Sequence, residues 1–106
     1  MNSVIGNSNI AAGNGNTIYG NTNLVGGNTN FVAGSANTVL GNTNLAVGNS
    51  NYINGGSNTV NGSSNGVQGN GNLVIGSSNN IVSTNACDVP PPPPPPPRPV
   101  PTILNS

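Results

Sequence analysis

Residues 34–40 read GSANTVL, and this seven-residue unit determines the architecture because the chain repeats its pattern many times. Written G-x-x-N-x-V-x, the pattern runs without a break from Gly6 to Val82. Glycine opens each unit, asparagine follows three residues later, and valine, isoleucine or alanine stands two residues after the asparagine. A fixed period of this kind is the sequence signature of a repeat architecture. We therefore expect the function to belong to a repeated surface rather than to a single pocket.

The seven-residue period does not indicate a coiled coil. Coiled-coil heptads place apolar residues at two positions, with charged residues beside them. This unit instead demands glycine, asparagine and β-branched residues, which are poor helix formers. A disordered linker is also excluded, because it would not return an aliphatic residue to every seventh position. The pattern is typical of a strand followed by a turn.

The alternation of side chains along a strand predicts the shape of each unit. In N-x-V-x, asparagine and the aliphatic residue point to one face and the two variable residues to the other. The recurring pair is expected to face inward, and glycine with the next two small residues forms the bend. Two such units close one flattened coil, and coils stack about 4.8 Å apart. The sequence therefore predicts an all-β fold, a β-solenoid (β-roll) of about six 14-residue coils, about 29 Å long.

The inward asparagines are predicted to have a structural role. A stacked asparagine can bond to the asparagines above and below it and to the backbone of the corners, which satisfies polar groups that burial would otherwise penalise. The predicted ladder comprises Asn9, Asn16, Asn23, Asn30, Asn37, Asn44, Asn51, Asn58, Asn65, Asn72 and Asn79.

The composition excludes several classes of function. The chain has one arginine, Arg98, one aspartate, Asp88, one cysteine, Cys87, and no lysine, glutamate, histidine or tryptophan. General acid–base catalysis needs titratable side chains, and nucleic-acid binding needs lysine and arginine, so neither is expected. Zinc and calcium sites need cysteine, histidine or repeated acidic ligands. We predict no catalytic, cofactor or metal site, and no membrane span or basic amphipathic surface.

Two opposite outward faces follow if each coil holds two units. Large apolar residues point outward on both faces, and exposed apolar patches usually mark an interaction site. The candidate binding face comprises Thr17, Tyr19, Phe31, Ala33, Leu45, Val47, Thr59, Asn61, Leu73 and Ile75. The opposite face includes Ile10, Leu24, Thr38, Leu40 and Tyr52.

Read from another phase, the unit is xxNxVxG, as in residues 35–41. This motif resembles the repeat of the ice-recrystallisation-inhibition (antifreeze) proteins of cold-hardy grasses, and the resemblance covers residues 2–82. It implies a β-roll with two heptads per coil that binds ice through one flat β face. It therefore points to ice as the partner and to a non-catalytic role.

The outward leucine, isoleucine, phenylalanine and tyrosine keep a second interpretation open. Both faces could pack against further copies of the chain, as in a self-assembling structural or adhesive fibre or wall protein. An open-ended solenoid could also stack end to end. We expect the chain to be extracellular or at the cell surface, although no signal peptide is visible in it.

The repeat changes near its end. Ser83 replaces glycine, Ala86 replaces asparagine, and Asp88 would occupy an inward position, where an unpaired charge is costly. We therefore predict a solenoid at 1–83, an exit segment at 84–89 and a polyproline tail at 90–106. The eight prolines at 90–97 favour a polyproline-II rod of about 25 Å. Three interpretations of this tail stay open: a spacer, a docking segment for a partner or for neighbouring copies, and a proline-rich segment of the kind seen in plant and algal wall proteins.

Overall fold

The computed structural model describes residues 1–83, and these form two parallel β-sheets that face each other across a thin core. Every strand has three residues and is separated from the next by a four-residue corner segment. Across this part of the chain there is no helix long and apolar enough to cross a membrane. The strands are β1 Ser3–Ile5, β2 Ile10–Ala12, β3 Thr17–Tyr19, β4 Leu24–Gly26, β5 Phe31–Ala33, β6 Thr38–Leu40, β7 Leu45–Val47, β8 Tyr52–Asn54, β9 Thr59–Asn61, β10 Gly66–Gln68, β11 Leu73–Ile75 and β12 Asn80–Val82.

Successive strands alternate between the two sheets. The odd sheet has the order β1-β3-β5-β7-β9-β11, and the even sheet contains β2 through β12 in the same manner. All pairings are parallel, and the register shift is always 14 residues, as in Thr17 opposite Phe31 and Phe31 opposite Leu45. One coil therefore holds two heptads. The predicted β-solenoid of about six 14-residue coils is confirmed, whereas the predicted segments 84–89 and 90–106 lie outside the described residues.

The core is one thin layer of aliphatic side chains, to which both sheets contribute. The middle residue of each strand points inward, so the odd and even sheets contribute alternately. These side chains are fully buried from Ile18 to Val67 and nearly so at Val74. Alanine at position 46 is the one smaller residue in the buried stretch. Because the core is so thin, the stack of coils rather than a globular interior stabilises the fold.

Glycine at the head of the corners from Gly6 to Gly69 is required by packing as well as by conformation. Gly34 has a φ of 134°, which L side chains rarely adopt, and an added Cβ would overlap the carbonyl oxygen of Gly48 in the next coil. The third corner residue is different. Ala36 adopts a φ of 59° without glycine, and the corresponding residues of most other corners are serine or threonine at similar angles. The sequence pattern identified the corners, but it did not reveal the contact between coils that makes glycine necessary.

Candidate functional site

The inward asparagines hold the coils in register from within. The backbone N–H of Asn37 donates to Oδ1 of Asn23 at 3.0 Å, and its Nδ2 donates to the same oxygen at 3.1 Å. The same Nδ2 also donates to the carbonyl oxygen of Gly48 at 2.8 Å. Asn51 repeats this arrangement on Asn37. From Asn16 to Asn65 these side chains are buried, so their hydrogen bonds offset a desolvation penalty that would otherwise oppose folding.

Two such ladders exist, one leading into each sheet. Each links asparagines 14 residues apart, and the predicted structural role of the asparagines is confirmed. The ladder that leads into the even sheet comprises Asn9, Asn23, Asn37, Asn51, Asn65 and Asn79. The ladder that leads into the odd sheet comprises Asn2, Asn16, Asn30, Asn44, Asn58 and Asn72.

A further row of polar side chains lies on the exposed corners and joins one coil to the next, a role that was not predicted from the sequence. Oδ1 of Asn21 accepts a hydrogen bond from the backbone N–H of Asn7 at 2.8 Å. Oδ1 of Asn42 accepts from the backbone N–H of Asn28 at 2.9 Å. A serine can take the same place, since Oγ of Ser63 accepts from the Asn49 N–H at 3.4 Å. The signal in the sequence was the frequent asparagine directly after each corner glycine.

The outward residues of the odd sheet form one flat face. It carries all ten residues of the candidate binding face, together with Ser3 and Ile5. Its middle is apolar: Phe31, Leu45 and Val47 are 37–38% exposed. The rings of Tyr19 and Phe31 lie on adjacent strands with their centroids 5.9 Å apart and an interplanar angle of 54°. The sheet therefore presents a continuous, mostly apolar surface to water.

The outward residues of the even sheet form the opposite face. Ile10, Leu24, Thr38, Leu40 and Tyr52 all lie on it, as the alternation of heptads predicted. Its surface is less uniform, because glycine occupies two outward positions, one in β4 and one in β10. Its other outward residues in β8, β10 and β12 include three amides, Asn54, Gln68 and Asn80.

Residues 1–83 contain no charged side chain, so both faces are electrically neutral. Within this range no cluster of histidine, cysteine, aspartate or glutamate could hold a metal ion. The surfaces that remain are two flat, rigid faces on opposite sides of the roll. Such faces suit adsorption to an extended surface better than the enclosure of a small ligand.

Comparison with known proteins identifies this architecture. The family described as the grass antifreeze beta roll matches residues 1–89, which is most of the chain. No individual curated protein matches. The family is an ice-binding one, and it is not a family of enzymes. The heptad repeat, the two-heptad coil and the family match agree, and this chain belongs to the grass antifreeze beta-roll family.

Proposed function

We propose that this chain binds ice and restrains ice recrystallisation through the outward face of the odd sheet. Membership of an ice-binding family supports the activity. The observation that favours this face is its continuity, since all twelve outward positions of the odd sheet carry a side chain. The even sheet has glycine at two of these positions.

The rigidity of the roll suits it to a crystalline surface. Strands repeat about every 4.8 Å, and backbone bonds such as that from Thr17 N–H to the Asn30 carbonyl, 2.8 Å long, join each coil to the next. Because the face is already ordered, adsorption loses little conformational entropy. The face combines apolar side chains with the hydroxyls of Thr17 and Thr59. These groups hold surrounding water less strongly than charged groups do, and residues 1–83 have no charged side chain.

The role is non-catalytic in this proposal. General acid–base catalysis requires a titratable group placed near a reacting atom. Residues 1–83 provide no carboxylate, imidazole, thiol or amine side chain for that purpose. Binding is therefore the activity that these faces support.

Assembly of the roll through its apolar faces is the weaker alternative. Six strands of three residues give a flat area of about 300 Å² per copy, and thus about 600 Å² for a face-to-face pair. Specific, stable interfaces bury about 1,200 Å² or more. The apolar residues of one face are therefore too few to hold a stable dimer by themselves, while contact with ice requires no matching partner.

A matched pair of lysine substitutions tests the proposed face. Thr59 lies in the odd sheet and Thr38 in the even sheet; both are the first outward residue of a strand and both are half-buried. Lysine carries a strongly hydrated ammonium group, which would keep liquid-like water against the face that bears it. We expect Thr59→Lys to lose inhibition of ice recrystallisation and Thr38→Lys to retain it.

Circular dichroism and a splat-cooling assay at equal concentrations measure the two variants. Both variants must retain the β-sheet spectrum of the parent chain. Loss of inhibition in Thr38→Lys alone would assign ice binding to the even sheet and overturn the proposed face. A parent chain that leaves ice-crystal growth unchanged would overturn the function itself.

A further inference from the structure

We propose that the polyproline segment Pro90–Pro97 of this chain docks along the outward face of the odd sheet and covers part of it. This inference rests on the proposed function for its biological meaning, since the covered face is the proposed ice-binding face. The contact itself rests on three physical features: a row of large residues, a matching spacing and a sufficient reach.

The row is the last outward residue of each odd strand. The row begins with Ile5 and Tyr19, and beyond them the smaller Ala33 and Asn61 alternate with the large Val47 and Ile75. The side chains of Tyr19, Val47 and Ile75 are exposed, at 43%, 37% and 74% respectively. They project from alternate strands and leave shallow gaps between them.

The spacing of this row matches that of a polyproline-II helix. Alternate strands of the sheet lie about 9.5 Å apart. A polyproline-II helix has three residues per turn and a rise of 3.1 Å, so the same face of the rod returns about every 9.3 Å. A rod parallel to the roll axis would therefore present a proline ring to each large residue in turn. Eight prolines supply nearly three turns, which matches the three large residues Tyr19, Val47 and Ile75 on alternate strands.

The aromatic pair gives the row its chemical preference. Proline-rich segments are recognised by exposed aromatic side chains, against which the pyrrolidine rings pack. Tyr19 of the row and Phe31, the first outward residue of the neighbouring strand β5, form such a pair, with ring centroids 5.9 Å apart. No charge is required on either side, and residues 1–83 and Pro90–Pro97 have none.

The last described residue, Ser83, lies on a corner next to the odd sheet. The Ser83 N–H donates to the carbonyl of Gln68 at 2.8 Å, so Ser83 continues the stacked corner that in earlier coils leads from the even to the odd sheet. From β11 to β3 is four strand spacings, about 19 Å. Eight prolines in polyproline II span about 25 Å. Residues 84–89 add up to about 20 Å of extended chain, which leaves room for the reversal of direction.

A docked tail would compete with ice for the outward face of the odd sheet. A tethered segment acts at a high effective concentration, so even weak docking is populated. Docking would cover Tyr19, Val47 and Ile75 while leaving the row of Thr17 and Thr59 and the whole even sheet accessible. The tail would thus reduce ice binding by the odd sheet without changing the fold.

Paramagnetic relaxation in the full chain tests the docking directly. The variant Cys87→Ser with Val100→Cys carries a single nitroxide label beyond the prolines, and the amides of the roll are observed by ¹⁵N NMR. We expect the label to broaden the amides of β1 and β3 in the odd sheet. Tyr19→Ser should remove this broadening, and the matched change Tyr52→Ser on the even sheet should leave it in place.

Three outcomes would overturn the proposal. The label could broaden only the last coil, or both sheets equally. Broadening in a mixture of labelled, ¹⁴N chain with unlabelled, ¹⁵N chain would identify a neighbour's tail as the occupant. Replacing Pro90–Pro97 by a glycine–serine segment of equal length should abolish the broadening and raise the inhibition of ice recrystallisation. If the broadening is present but neither the parent chain nor any variant restrains ice-crystal growth, the docking stands and the proposed function fails. If ice-crystal growth is restrained but the broadening is absent, the docking fails alone.

Discussion

The interior and the exterior of the roll differ in how strictly they repeat. Inside, asparagine returns at every coil and the aliphatic position varies only among valine, isoleucine and alanine. On the outside, the side chains vary in size from glycine at position 66 to phenylalanine at position 31, although both positions begin a three-residue strand. The difference shows that inward contacts determine the fold, because a substitution there is felt by the coils above and below. Outward positions are free to determine what the surface binds.

The largest expected loss of stability comes from adding a side-chain atom where two coils approach each other at a corner. Gly34→Ala would place a Cβ on the carbonyl oxygen of Gly48 at a φ of 134°, so we expect a loss of more than about 4 kcal/mol in the free energy of unfolding, or no folding at all. Thermal and urea denaturation followed by circular dichroism measure it.

Gly15→Ala is the matched control for this change. Gly15 also lies in a corner with positive φ, but an added Cβ would approach no atom more closely than Oγ1 of Thr29, at 3.4 Å. Ala36 already occupies the equivalent position of another corner. We expect a loss of about 1 kcal/mol from the left-handed conformation alone. Equal losses in both variants would show that the approach of the coils is not what requires glycine.

The asparagine ladder should give the next largest effect. Asn37→Leu keeps the approximate size of the side chain but leaves the Gly48 carbonyl and the Asn51 N–H without their partners. Each buried unpaired group costs about 1–3 kcal/mol, so a loss of about 3 kcal/mol is expected in urea denaturation. Asn21→Ser, on the exposed corner, should cost less than about 1 kcal/mol because serine fills that place elsewhere. A neutral Asn37→Leu would contradict the structural role of the ladder.

Neighbouring residues of one strand allow the interior and exterior to be compared directly. Val32 is fully buried and is paired with Ala46 on the next strand of the odd sheet, whereas Phe31 is 38% exposed. We expect Val32→Ala to lower the free energy of unfolding by about 2 kcal/mol. Phe31→Ala, although it removes more atoms, should lower it by less than about 1 kcal/mol. The reverse order in denaturation experiments would mean that the outer face contributes to the core.

The sequence predicted the parts of the molecule that depend on local periodicity. The spacing of residues such as Asn37 and Val39 was sufficient to predict strands, corners, the inward face and the two-heptad coil. The close approach of Gly34 to Gly48 was not predicted, because it joins residues a full coil apart and leaves no local signal. The bond from Asn7 to Asn21 was missed because the asparagines that follow many corner glycines were interpreted only as small turn residues. The assignment of the odd sheet as the candidate binding face stays a prediction, since residues such as Phe31 and Thr59 follow no period that would distinguish the two faces.

The smallest expected change in stability comes from varying the pH and the salt concentration. Residues 1–83 have no acidic, basic or histidine side chain, and stability depends on pH only through groups that bind protons differently in the folded and unfolded states. We expect the unfolding midpoint of the roll to remain constant between about pH 5 and about pH 8 and to show no screening effect of moderate salt. A clear shift with pH in this range would contradict the expectation that no side chain of residues 1–83 changes its proton binding on folding.

Uptake into growing ice shows whether the neutral outer face of this roll adsorbs to ice. The full chain labelled with a fluorophore at its single cysteine, Cys87, is placed around a slowly growing ice hemisphere. We expect fluorescence within the ice in patches that mark particular crystal planes, and weaker uptake for Thr59→Lys than for Thr38→Lys. Exclusion of the labelled parent chain from the ice, under conditions in which its β-sheet spectrum is intact, would mean that the roll does not bind ice.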